Sequence, residues 1–113
     1  MKHVAVLGAG RIGRIHATNL AAQPGVKLKY VCDAIADSAA DLAQQLGAQV
    51  ATLQTVFADP AIDAVAICAP TTTHSDLITR AAAAGKHIFC EKPVDLSVAR
   101  AQAVAQAVAA AGV

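Results

Sequence analysis

Residues 3–13 read HVAVLGAGRIG. His3–Leu7 is a short run rich in β-branched residues, and Gly8 cuts it off. Helical spacing then begins at Ile12 and continues to Ala22, with Ile12, Ile15, Ala17, Leu20 and Ala22 as its apolar positions, before Pro24–Gly25 stops it. Gly8-Ala9-Gly10-Arg11-Ile12-Gly13 therefore fits G-x-G-x-x-G at the junction of a strand and a helix, the context in which that spacing carries meaning. Each glycine has a separate physical reason. Gly8 allows a tight turn. Gly10, without a Cβ, lets the backbone approach a pyrophosphate. Gly13 lets the helix lie close to the strand. An anion placed there meets the free amides of the first helical turn, including those of Arg11 and Ile12, and the positive end of the helix dipole. Arg11 adds charge nearby.

Outward from that stretch, strand and helix patterns alternate. Val26–Cys32 reads as a strand and Asp37–Leu46 as a helix ended by Gly47. Ala48–Ala51 reads as a short edge strand and Thr55–Ala58 as a single helical turn. Ala64–Cys68 is apolar without alternation, the pattern of a parallel strand covered on both faces. Thr73–Ala84 reads as a helix with Leu77, Ile78 and Ala81 facing inward. His87–Cys90 is the next strand, and Ser97–Ala111 a helix with Ser97 as N-cap. Gly112–Val113 reads as the start of one more strand. The order implies an α/β fold, a Rossmann-type doubly wound parallel sheet of about five strands whose sequence stops where a sixth is expected. Residues 1–113 are one domain at this length.

Asp33 follows the second strand, twenty positions after Gly13. A carboxylate there can accept hydrogen bonds from both hydroxyls of an adenosine ribose and repels a 2′-phosphate. With Ala34, Ile35 and Ala36 next to it and no basic residue among them, it favours NAD over NADP. Asp33 also fits a solvated loop acid or an N-cap. The fourth strand ends in Ala69-Pro70-Thr71-Thr72-Thr73-His74 and the fifth in Cys90-Glu91-Lys92-Pro93. Ligands of open α/β sheets collect beyond the carboxyl ends of strands, so both segments belong on the glycine-loop side. One of Thr71–Thr73 is expected to cap the helix that follows. Thr71 and His74 are expected to touch the cofactor. Pro93 biases Lys92 towards an extended backbone, and the bond between them is a place for a cis peptide. An ammonium held there would stabilise an alkoxide as hydride leaves. Glu91 either orients Lys92 or bonds the cofactor. His3, His16 and His87 have no partner visible in sequence and are read as structural.

Composition narrows the alternatives. The apolar fraction is 56%, inflated by 29 alanines, and only Phe57, Phe89 and Tyr30 are aromatic, so the core is built of small residues. Net charge is +1 with no basic run, which argues against nucleic acid. Cys32, Cys68 and Cys90 form no metal-ligand spacing, and no metal is expected. An odd cysteine count, with an apolar run near the N-terminus too short for a signal peptide, points to the cytoplasm. No stretch is long enough to span a membrane.

GAGRIGRIHA, Asp33, APTTTH and AGKHIFCEKPVDL together resemble the Gfo/Idh/MocA oxidoreductases over essentially the whole chain, and within that family the inositol 2-dehydrogenases. The resemblance implies an N-terminal domain that binds NAD or NADP, in an enzyme oxidising or reducing a secondary alcohol or ketone of a polyol or sugar. It implies that Lys92 matches the lysine beside the nicotinamide and the reacting carbon. Gly8, Gly10, Gly13 and Asp33 match the cofactor residues, and Thr71 and His74 the nicotinamide side. It further implies a second, α/β domain, with an acid and the histidine that serves as general acid–base, and a homo-oligomer. Nothing in these residues matches that part, so the chain alone is expected to be inactive. A stand-alone dinucleotide-binding or regulatory module and an inactive fragment remain the alternatives.

Overall fold

A computed structural model describes residues 1–92 and 97–113. The elements are β1 (Lys2–Leu7), α1 (Arg11–Ala22), β2 (Val26–Cys32), α2 (Ala36–Leu46), β3 (Gln49–Val50), α3 (Leu53–Ala58), β4 (Ala64–Ile67), α4 (His74–Ala83), β5 (His87–Cys90) and α5 (Val98–Ala111), with a 3₁₀ turn at Thr71–Thr73 before α4. The five strands are all parallel in the order β3-β2-β1-β4-β5. The order reverses between β1 and β4, where the chain crosses from one half of the sheet to the other.

Alternation sorts side chains onto two faces, interrupted on β2 where the register with β1 shifts between Leu28 and Tyr30 and puts these two on opposite faces. Val6, Leu28, Val31 and Ala66 meet Ala17 of α1 and Ala39, Leu42 and Ala43 of α2. Ala5, Leu7, Tyr30, Val65 and Ile67 meet Val56 of α3, Leu77, Ile78 and Ala81 of α4 and Val104 of α5. Along β5, Ile88 and Cys90 pack against this second layer while His87 and Phe89 stay exposed. The α1 layer does not extend over β5. An open groove of about 470 Å³ runs there, floored by Ala64, Ala66 and Phe89 and walled by His16 and Leu20.

Three sequence expectations change. The apolar spacing of α1 runs through Ile12, Ile15 and Ala22 with Ala17 and Leu20 nearby, yet Ile12 and Ile15 are 41% and 48% exposed, and the buried residues are Gly13 and Ala17. Gly13 must lie on β1's end, and the residues in step with it are Ala17 and Leu20. Gly112 does not begin a strand. It takes φ +74° as the C-cap of α5, and the Val113 amide donates back to Val108 at 3.5 Å. No threonine side chain caps α4. The Thr73 hydroxyl instead donates to the Pro70 carbonyl at 2.6 Å, because the 3₁₀ turn already carries the chain into the helix. Ser97 does cap α5, accepting from the Arg100 amide at 3.4 Å.

Candidate functional site: the carboxyl edge of the sheet

Four strands deliver their ends to one edge. Backbone bonds extend the ladder past each strand: Gly8 N–H to Cys32 O at 2.7 Å, Cys68 N–H to Leu7 O at 2.7 Å and Glu91 N–H to Ile67 O at 2.9 Å. Gly8, Asp33, Cys68 and Glu91 therefore leave a rigid platform.

The glycines divide the work as their spacing predicts. Gly8 has φ +113°, and an added Cβ would lie 2.6 Å from the Cys68 carbonyl carbon. Gly13 is tighter still, with a Cβ position 1.9 Å from the Gly8 carbonyl oxygen. At Gly10 nothing lies within 4 Å of that position. The loop is thus closed on the protein side and open where a ligand would approach. Helix α1 starts at Arg11 without a side-chain cap or an acid in its first turn. Its ladder opens with Arg14 N–H to Gly10 O at 2.9 Å, so the amides of Arg11, Ile12 and Gly13 precede the first intrahelical bond. A bare helix start over a Cβ-free position fits the pyrophosphate of a dinucleotide.

Asp33 faces the loop. Its Oδ2 accepts the Ala9 amide at 2.6 Å and its Oδ1 the Ile35 amide at 2.8 Å. The carboxylate fixes the loop and opens the turn into α2, and a carboxylate retains further lone pairs for hydroxyl donors. Arg11 is exposed beside the helix start. His74 is 2% exposed, with Nε2 and the Ala69 carbonyl 2.7 Å apart. Its ring shapes the turn that presents Thr71, which is half-buried.

Glu91 and Lys92 leave the end of β5. Lys92 is exposed, while Pro93 and its peptide bond lie outside the described residues. Glu91 Oε2 lies 2.7 Å from His16 Nε2 on α1, so His16 has the partner that sequence did not reveal. The two are 75 residues apart, and no local spacing signals such a pair.

The three thiols are half-buried and free. Burial, and then the Glu91 charge, push Cys68 and Cys90 up to about 11, with Cys90 adding to the effect on Cys68. Burial, and then Asp33, raise Cys32. Thiols held protonated are poor nucleophiles and poor metal ligands. Among the described residues no cluster of His, Cys, Asp or Glu could hold a metal ion, and no helix is long and apolar enough to cross a membrane.

This fold and edge define a dinucleotide-binding Rossmann domain. The family described as "Oxidoreductase family, NAD-binding Rossmann fold" (Gfo/Idh/MocA) matches residues 2–113, and the chain belongs to it as its NAD-binding domain. The chain is similar to inositol 2-dehydrogenase of Rhizobium meliloti, at 48% identity over 87% of this chain and 30% of that protein. It is similar to scyllo-inositol 2-dehydrogenase (NAD(+)) of Bacillus subtilis, at 45% identity over 96% of this chain and 33% of that protein. Among solved structures it matches GenD2 from gentamicin A biosynthesis in complex with NAD, with a TM-score of 0.95 and 37% identity over 99% of this chain and 32% of that one. The chain spans about a third of the length of these relatives.

Proposed function

We propose that this domain serves an NAD-dependent dehydrogenase acting on a secondary alcohol of a polyol such as myo-inositol, within a longer cytoplasmic, homo-oligomeric protein. The observation that carries the reading is the contrast among the loop glycines: two have no room for a Cβ, and the third faces open space at a bare helix start. The amides of Arg11, Ile12 and Gly13 hold the pyrophosphate. Asp33 accepts the adenosine ribose hydroxyls and disfavours NADP by repelling a 2′-phosphate. Thr71 borders the nicotinamide ribose, with His74 bracing its turn from behind. Bound NAD supplies the hydride acceptor. The Lys92 ammonium donates to the substrate oxygen and stabilises the alkoxide as hydride departs. The base that takes the hydroxyl proton comes from outside this chain, as does the substrate pocket.

A thermal melt of the chain tests the cofactor half. At 100 times the dissociation constant, NAD should add about 2.7 kcal/mol, a rise on the order of 10 °C. NADP at equal concentration should do less, and Asp33→Ala should narrow the difference. No shift at millimolar NAD would overturn the reading. In the longer protein, Lys92→Ala should keep NAD binding and lose most turnover. A stand-alone sensor would show no such split.

A further inference from the structure

His16 lies one turn beyond Gly13 on α1, the helix whose start forms the dinucleotide site. Gly13 lets the helix pack directly on the Gly8 carbonyl, which fixes how closely α1 approaches the end of β1. From this fixed origin the His16 ring reaches across to β5 and makes two contacts. Its Nε2 meets Glu91 Oε2 at 2.7 Å, and its ring meets the Phe89 ring in an edge-to-face arrangement, with centroids 5.0 Å apart at 61°. Phe89 and Glu91 are two residues apart, so they share one side of the chain leaving the sheet. That side is the one no helix covers: His87 and Phe89 are exposed along β5, and the groove opens beside them. On this face the His16 side chain reaches the end of the strand, whose backbone is also held by the Glu91 N–H bond to the Ile67 carbonyl. The titratable neighbours of the Glu91 carboxylate include the thiols of Cys68 and Cys90, both held neutral, and His16 Nε2 lies 2.7 Å from its Oε2.

We infer that His16 is a positioning residue: by gripping Glu91 and Phe89 from the cofactor helix, it sets the exit of β5 and so the placement of Lys92 against the bound nicotinamide. The inference rests on the role proposed above for Lys92. It makes the dinucleotide site and the lysine parts of one rigid body, joined through α1. Dinucleotide affinity belongs to the loop and Asp33, so loss of the clamp leaves it intact and misplaces the ammonium. Misplacement by about 1 Å costs turnover on the order of 10- to 100-fold.

The test uses the longer protein that carries this domain. His16→Ala should lower kcat on the order of 10- to 100-fold while the KM for NAD stays within about 2-fold. His16→Gln, whose amide can still donate to Glu91, should recover most of the loss. The double variant His16→Ala/Glu91→Ala should be no slower than the worse single variant, because both remove one clamp. If His16→Ala does not fold, Glu91→Ala and His16→Leu, which also remove the hydrogen bond, provide the same kcat-against-KM comparison. Additive losses, a loss confined to the KM for NAD, or a kcat unchanged in His16→Ala would each overturn the inference. Lys92→Ala, assayed alongside, separates the two claims. Full turnover in that variant removes the proposed function itself, whereas a dead Lys92→Ala beside a fully active His16→Ala removes only the clamp.

Discussion

Replacing Gly13 by alanine would put a methyl carbon 1.9 Å from the Gly8 carbonyl oxygen, and backbone on both sides leaves nothing flexible to yield. The variant should lose at least about 3 kcal/mol, or fail to fold, as read from urea or thermal unfolding. Three residues earlier, Gly10→Ala meets empty space at φ −75°, an ordinary angle for alanine. It should cost about 1 kcal/mol, the usual loss at an N-cap, and abolish the stabilisation by NAD. Equal damage from the two substitutions would contradict the division of roles among the glycines. These roles were legible in the sequence because they arise from local backbone geometry in consecutive residues. The partnership of His16 with Glu91 was not, since it depends on how an α1 side chain meets a strand end 75 residues later. Asp33 was legible in place but not in full. Its bonds to Ala9 and Ile35 hold the loop as well as facing the ligand side.

Among the elements, α1 shows most clearly where pattern reading falls short. Apolar spacing alone did not separate Ile12 and Ile15 from Ala17, but contact with the sheet is decided by closeness, and closeness selects Gly13 and Ala17. Ala17 is fully buried against the sheet, whereas Ile15 is 48% exposed. Ala17→Leu should therefore destabilise by about 1–3 kcal/mol through overpacking. Ile15→Gln should stay within about 0.5 kcal/mol of the parent. A urea titration of both variants checks the assignment, and the opposite ranking would restore the isoleucine face. The other elements were more legible. β2 and β5 begin and end where their β-branched and aromatic runs do, and Gly47 and Ser97 mark helix ends by chemistry that needs no tertiary context. Gly112 ends α5 where a new strand is expected, because an αL cap and a turn into a strand use the same residue.

Across the whole molecule, Asp59 ties distant segments together on the α3 side of the sheet. Its carboxylate accepts from Lys29 Nζ at 2.6 Å, the Ala61 amide at 2.8 Å and the Tyr30 hydroxyl at 2.8 Å, and its carbonyl accepts from the buried Lys86 ammonium at 2.6 Å. The Lys29 ammonium, then the Ala61 amide and the Tyr30 hydroxyl, hold the carboxyl far below the usual range. A depressed carboxylate contributes its stability in full above the unfolded value of about 4, and loses it as pH falls below that. The urea midpoint of the parent should thus decline steeply between about pH 4 and pH 2, and Asp59→Asn should flatten that limb. Parallel curves for the two proteins would show that Asp59 contributes nothing to acid sensitivity. The Lys29, Tyr30 and Lys86 partners were not legible in advance, because those links join residues 27 to 30 positions apart.

The strand order β3-β2-β1-β4-β5 has a geometrical corollary for Phe89. Right-handed winding lays α1 and α2 on one side of the sheet and α4 and α5 on the other. Every additional strand placed beyond β5 in the same sense would bring its connecting helix to the α4 side once more. Lengthening the sheet in that sense therefore adds no crossover helix over the Phe89 ring, and whatever covers this terrace must come from outside the strand–helix repeat.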